Sequence, residues 1–115
     1  MIHEEKKIGK IVEELTMFFF SVGSEKMSSG IEKEQDGVKI TFCADYLPEY
    51  EHSIEKLEQY LNAEKNEGIE DCYWELAGSG DPGETSQLLL VGMMIDKVKV
   101  NKKANQIELT LYRKA

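Results

Sequence analysis

Apolar residues recur every three or four positions near the start of the chain, and this spacing predicts an amphipathic helix over residues 4–21. Its apolar face consists of Ile8, Ile11, Val12, Leu15, Phe18 and Phe19. The charged residues, Glu14 among them, are expected mostly on the opposite, solvated face. Residues 17–20 are apolar all round, which predicts that this end is deeply buried, and Gly23 is expected to end the helix.

Two further stretches alternate between apolar and polar residues, which predicts β-hairpins. The first hairpin is expected to pair residues 28–33 with residues 38–44 around a turn at Gln35-Asp36-Gly37, because Asp-Gly is a favoured pair in tight hairpin turns. The second is expected within residues 97–113, with residues 101–105 as the connection between its strands.

Helical spacing returns between the two hairpins. It predicts a second helix over residues 48–64, a short third helix over residues 69–77, and an apolar helix that follows a glycine-rich loop within residues 78–95. Locally paired strands and amphipathic helices together predict an α+β fold. We expect a two-layer α/β sandwich in which helices cover one face of an antiparallel or mixed sheet. The whole chain, residues 1–115, is expected to form a single domain.

The composition narrows the choice of partner. Hydrophobic residues make up 41% of the chain, and 14 basic against 22 acidic residues give a net charge of −8. Such a surface repels phosphate backbones and anionic lipid, so we expect neither a nucleic-acid nor a membrane partner. The acidity suits a cytoplasmic protein, including one that binds a basic protein partner. Cys43 and Cys72 form neither a disulfide framework nor a metal-ligand pattern, so we predict no metal site and expect both to be buried small side chains.

The glycine-rich loop carries the densest candidate chemistry. Gly78, Gly80 and Gly83 precede a helix that Thr85 is placed to cap, and free backbone N–H groups at such a helix start bind anions. The spacing also fits the phosphate-binding P-loop, except that Glu84 stands where that motif needs lysine. Because a glutamate reverses the charge presented to phosphate, we reject the P-loop interpretation. The simpler alternative is that these glycines only shape a mobile loop.

Two positions outside the loop add to this candidate site. On the first helix, Glu14 precedes Phe18 by four residues, and at the end of the second strand Asp45 is followed by Tyr46-Leu47-Pro48. With the order of elements, these positions resemble the Bergerat-fold ATPase family, which includes histidine-kinase catalytic domains, anti-sigma-factor kinases, Hsp90 and the ATPase domains of type II topoisomerases. The resemblance covers roughly residues 6–114 and rests on element order more than on motifs.

The resemblance implies a role for each position. The family's first helix carries a Glu-x-x-x-Asn signature whose asparagine holds the Mg²⁺ that bridges the phosphates, and Phe18 replaces that asparagine here. The family's strand-end aspartate, which Asp45 matches, accepts a hydrogen bond from the adenine amino group. In the family, glycines follow that aspartate, and here they are replaced. The family's lid matches residues 78–90, so the loop glycines and Thr85 would contact the nucleotide.

The loss of the asparagine implies a degenerate member of the family. We therefore expect a non-catalytic regulatory or protein-binding module of the bacterial signalling or sigma-factor type, with Glu14 as the one candidate for a general base. The alternative is an ATP- or ADP-binding domain, or a protein kinase of the histidine-kinase and anti-sigma class, in which Asp45 reads adenine. Two simpler interpretations stay open: Asp45 caps the helix after Pro48, or the chain is an unrelated small α+β domain.

Overall fold

The computed structural model describes residues 2–62 and 91–114 of the chain, with side chains from residue 4 onward. Within these residues the elements are α1 (Ile2–Ser21), β1 (Met27–Glu34), β2 (Gly37–Asp45), a 3₁₀ turn (Pro48–Tyr50), α2 (Glu51–Leu61), β3 (Lys97–Lys103) and β4 (Gln106–Lys114). Residues 91–94 are also helical. The helix expected over residues 69–77 and the glycine-rich loop lie outside the described residues.

The four strands form one antiparallel sheet in the order β1-β2-β4-β3. Each hairpin pairs its own two strands. The hairpins join through β2 and β4, whose register runs from Gly37 opposite Lys114 to Asp45 opposite Gln106. The predicted α+β fold is therefore confirmed, and of the two expected sheet types the structure has the antiparallel one. In the part of the chain that is described, β1 and β3 are the edge strands.

Side chains from the helices and from one face of the sheet form a single hydrophobic core. On the two central strands, every second residue enters this core: Ile40, Phe42, Ala44, Ile107, Leu109 and Leu111. Phe19 of α1 stacks on Phe42 of β2, with the ring centroids 5.4 Å apart. Full burial of one such large side chain is worth about 1.5–3 kcal/mol, so this face of the sheet is the one that holds the helices.

Two glycines mark places where backbones approach too closely for a side chain. A Cβ on Gly37 would overlap the carbonyl oxygen of Arg113, where the first hairpin turn lies against β4. A Cβ on Gly92 would overlap the carbonyl oxygen of Tyr60, so the helical residues 91–94 pack directly on the last turn of α2. This second contact fixes the segment that leads into β3.

Burial of the first helix differs from the expectation at its end. Phe20 was expected to be buried with its neighbours, but 61% of its surface is exposed, while Phe18 and Phe19 are buried. Successive residues of a helix point about 100° apart, so a core on one side covers only part of an apolar run.

No helix in residues 2–62 and 91–114 is long and apolar enough to cross a bilayer.

The second hairpin and Cys43 also differ from the expectation. β3 continues to Lys103, and the connection is the two-residue turn Ala104-Asn105 rather than residues 101–105. Ala104 accommodates this tight turn with a φ of 55°. The polar side chains of residues 101–103 suggested a loop, but the backbone of these residues pairs with β4 whatever the side chains are. Cys43 is half-buried rather than buried, because it lies on the sheet face away from the core.

Candidate functional site

Four of the predicted site residues, Gly78, Gly80, Gly83 and Thr85, lie outside the described residues. Their interpretation as nucleotide contacts stays a prediction. The described part of the candidate site therefore consists of two carboxylates and the position of the family's asparagine: Glu14, Phe18 and Asp45.

The Asp45 carboxylate organises the loop between α1 and β1. Its Oδ1 accepts hydrogen bonds from the Ser24 hydroxyl at 2.8 Å and from the backbone N–H groups of Glu25 and Lys26 at 2.9 and 3.0 Å. These donors, the Lys26 N–H first among them, favour the ionised form and hold the pKa of Asp45 below its ordinary value. The 3₁₀ turn and α2 both begin without a side-chain cap bond, so the interpretation of Asp45 as a helix cap is wrong.

Glu14 is buried, with 2% of its surface exposed, and the expectation of a solvated residue is wrong. Its Oε1 lies 2.9 Å from Lys10 Nζ, and its Oε2 has no hydrogen-bond partner among the described residues. The helical spacing itself predicts the burial of Glu14. Glu14 follows Ile11 by three residues and precedes Phe18 by four, so the three side chains share one face of α1. Its charge, rather than its position, suggested exposure.

Phe18, the residue that the resemblance aligns with a metal-holding asparagine, is a packed aromatic ring. The residue is 5% exposed, and its ring meets that of Phe19 edge-on with centroids 5.1 Å apart. Mg²⁺ is held by oxygen ligands, and a phenyl ring supplies none. The Phe18 side chain therefore contributes to the core and offers no ligand to a metal ion.

The structure does not place Glu14 and Asp45 on the same side of the sheet. α1, which carries Glu14, contributes to the core that Phe42 and Ala44 face. Asp45 is the next residue after Ala44, and alternation along β2 directs it to the other face together with Cys43. A ligand that contacted both carboxylates would have to reach around the end of β2.

The sheet face opposite the core carries polar side chains in rows across the strands. In one row, Tyr112 of β4 lies between Lys97 of β3 and Lys39 of β2, and the Lys97 ammonium is 5.9 Å from the centre of the Tyr112 ring. In the next row, Thr110 lies between Lys99 and Thr41. A shallow concavity of about 550 Å³ lies over these two rows. This half of the face is lysine-rich, although the chain as a whole is acidic.

The other half of the same face is centred on Glu108 of β4, between Asn101 and Cys43. A concavity of about 410 Å³ lies over these residues and reaches Asp45. The Cys43 thiol is 3.6 Å from Glu108 Oε2. Burial, and then the nearby carboxylate, raise the pKa of the thiol, so Cys43 stays protonated near neutral pH and is a poor nucleophile.

A polar cluster ties β3 to α2 on the helix-covered side of the sheet. Lys102 Nζ lies 2.9 Å from Glu51 Oε2 and 3.2 Å from Glu58 Oε1, and the Tyr46 hydroxyl donates to Glu51 Oε1 at 2.7 Å. Glu51, and then Glu58, raise the pKa of Lys102, while Lys102 and Tyr46 lower the pKa of Glu51. Because the side chains of Lys102, Glu51 and Glu58 are about a third exposed or more, their ion pairs add little stability.

Arg113 is a second charged group that sequence reasoning missed. It is buried, and its guanidinium donates to both carboxylate oxygens of Glu4 and to the carbonyl oxygen of Met94. It therefore joins the first helix, the segment before β3 and the last strand. The alternation of β4 already places Arg113 on the same face as Leu109 and Leu111, but its charge suggested an exposed chain end.

Comparison with protein-family models, curated proteins and solved structures finds no match to this chain. The resemblance to the Bergerat-fold ATPases therefore rests on element order and on the sequence positions of Glu14, Phe18 and Asp45.

Proposed function

We propose that this chain is a regulatory or protein-binding module on a histidine-kinase-like ATPase scaffold, and that it does not transfer phosphoryl groups. In this proposal residues 1–115 form one cytoplasmic domain of the bacterial signalling or sigma-factor type, and its partner is a protein. The net charge of −8 supports a protein partner over a nucleic acid or an anionic membrane.

The observation that carries the proposal is the burial of Phe18. Phosphoryl transfer on this scaffold would need a Mg²⁺ ligand where that ring packs against Phe19. Replacement of the Phe18 ring by a smaller polar side chain would leave a cavity in the core. The ring therefore stabilises the fold. Glu14, the candidate general base one turn earlier, is engaged by Lys10 within the same buried face.

The environment of Asp45 supports the same proposal. Its Oδ1 is saturated by three donors of the chain itself, so this strand-end carboxylate has a structural use that needs no adenine. The alternative, an ATP- or ADP-binding domain or a kinase, would require Asp45 to serve a nucleotide in addition to this loop.

Nucleotide titration distinguishes the two. We expect the melting temperature of the full chain to stay unchanged with ATP or ADP, each with and without MgCl₂, up to about 5 mM. A site with a Kd of about 50 μM would add about 2.7 kcal/mol at that concentration, a shift of several degrees that calorimetry detects readily.

The control variants make the alternative equally testable. Asp45→Asn keeps an Oδ1 acceptor for the three loop donors but changes the group that would meet adenine, and Asp36→Asn removes a charge in the exposed first hairpin turn. A nucleotide-dependent rise in melting temperature that Asp45→Asn abolishes and Asp36→Asn preserves would establish the nucleotide-binding alternative and overturn the proposal.

A further inference from the structure

Among the described residues β3 is an edge strand, and it has an unusual charge pattern. It pairs with β4 on one side, and no described strand pairs with its other side. Its sequence, KVKVNKK, contains four lysines and no carboxylate. Lys97, Lys99 and Lys103 are exposed on the open face of the sheet, and neither Lys99 nor Lys103 forms an ion pair with a described residue. The edge is therefore a local strip of positive charge on an acidic chain.

The other side of β3 is apolar where it meets the core. Val98 and Val100 are half-buried and pack against the core cluster, so part of each side chain stays exposed. The strand thus presents Lys97, Lys99 and Lys103 on one face and Val98, Val100 and Lys102 on the other. Alternate residues are about 6.6–6.8 Å apart. An extended segment that alternates acidic and apolar residues has the same spacing and the complementary chemistry.

We propose that the edge of β3 with which no described strand pairs binds an extended acidic segment of a partner protein by strand addition. Carboxylates of the segment would lie beside Lys97, Lys99 and Lys103, and its apolar residues beside Val98 and Val100. Directly opposed side chains of neighbouring strands are about 4.5–5.5 Å apart, close enough for each lysine to meet one carboxylate. This inference rests on the proposed protein-binding function and names the class of partner.

The same lysines select against other occupants. Lysines on an edge strand discourage unwanted pairing, and a second copy of β3 would bring lysine against lysine. A nucleic acid that bound these lysines would also rely on stacking of its bases on aromatic side chains. On the lysine rows the one aromatic ring, Tyr112, already lies under Lys97, which leaves little free surface for base stacking. An acidic protein strand would form backbone hydrogen bonds with β3 and, at the same time, ion pairs with its lysines.

The test uses a fluorescent peptide of about nine residues that alternates glutamate with valine and threonine, long enough to follow β3 from end to end. A scrambled peptide of the same composition is the matched control. We expect the alternating peptide to bind the full chain measurably by fluorescence anisotropy, and the scrambled one at least about tenfold more weakly. The double variant Lys97→Glu/Lys99→Glu should weaken binding of the alternating peptide about tenfold or more, because two attractive pairs become repulsive.

Lys56→Glu, which makes the same kind of charge reversal at an exposed site on α2, should change the affinity less than twofold. Hydrogen exchange by NMR should show new protection of β3 amides and none along β1. Equal binding of the two peptides, an unchanged affinity in the double variant, protection along β1 instead of β3, or preference for a single-stranded oligonucleotide or a second copy of the chain would each overturn the inference. Nucleotide-dependent melting tests the proposed function separately, so failure of one leaves the result for the other readable.

Discussion

Replacement of Asp45 by alanine removes one oxygen that accepts three hydrogen bonds from the loop between α1 and β1. Nothing else in the described contacts can replace that acceptor, because the Ser24 hydroxyl and the two N–H groups all converge on Oδ1. We expect the variant to fold with a less ordered loop and a lower free energy of unfolding.

The magnitude follows from the number of bonds and the exposure of the loop. A hydrogen bond contributes about 0.5–1.5 kcal/mol net, and water replaces part of each lost bond here because Glu25 and Lys26 are exposed. Three bonds therefore predict a loss of about 1.5–2.5 kcal/mol, or about 5–10 °C in melting temperature for a domain of this size. Asp45→Asn, which retains the acceptor and loses only the charge, should lose less than about 1 kcal/mol.

The pH dependence separates the charge from the hydrogen bonds. Because the folded state lowers the pKa of Asp45 from its ordinary 3.8, the charge stabilises the fold above that value and ceases to do so as the pH falls through the lowered pKa. The stability difference between wild type and Asp45→Asn should therefore be constant from about pH 5 to 8 and shrink below about pH 4. Urea unfolding at several pH values measures it. An Asp45→Ala variant as stable as wild type, or a difference that grows in acid, would refute this account of Asp45.

Two further predictions test the packing that holds the sheet. Gly92→Ala should lower stability by about 1–3 kcal/mol, because the added Cβ overlaps the Tyr60 carbonyl oxygen, whereas Gly9→Ala in α1, with nothing within 4 Å, should raise it by about 0.5–1 kcal/mol. Equal effects of the two substitutions in thermal unfolding would contradict the close packing of residues 91–94 on α2. Arg113→Ala should lower stability by about 2–4 kcal/mol, because Glu4 and the Met94 carbonyl lose a buried donor, and Arg113→Lys should recover only part of this in urea unfolding. An Arg113→Ala variant within about 0.5 kcal/mol of wild type would show that this buried guanidinium is dispensable.

Periodicity was sufficient to predict α1, α2 and the two hairpins, because burial on one face leaves a period in the sequence. It placed α1 and both hairpins, and it identified the face of β2 that carries Ile40, Phe42 and Ala44. It was misleading where charge and position disagreed. Glu14 and Arg113 hold positions on buried faces, and the buried charges find partners that are distant in sequence or one helical turn away. The Arg113–Glu4 pair depends on tertiary packing, which a local pattern does not contain, whereas Lys10 and Glu14 are neighbours by helical spacing alone.

The candidate site was less predictable than the fold for a related reason. A motif specifies the spacing of residues along the chain. It does not specify which face of the sheet a residue lies on, or which face a helix covers. Glu14 and Asp45 both matched positions of one family site, yet they belong to opposite sides of the sheet. The lysine strip on β3 left a clear signal in the sequence, KVKVNKK, but its meaning depends on β3 being an edge strand.

The pairing of β2 with β4, which joins the two hairpins, also determines the order in which the sheet can form. Each hairpin closes a turn of two residues and can form in microseconds, but neither buries its apolar face alone. Residue 45 meets residue 106 and residue 37 meets residue 114, so joining the hairpins closes a loop through more than half of the 115-residue chain. The pairing of β2 with β4 joins residues that are far apart in sequence, and contacts of this kind slow folding. The loop-closure entropy grows only with the logarithm of length, and doubling the connection would cost about 0.6 kcal/mol. The slowest step in folding is thus expected at the centre of the sheet, where the native structure is most buried.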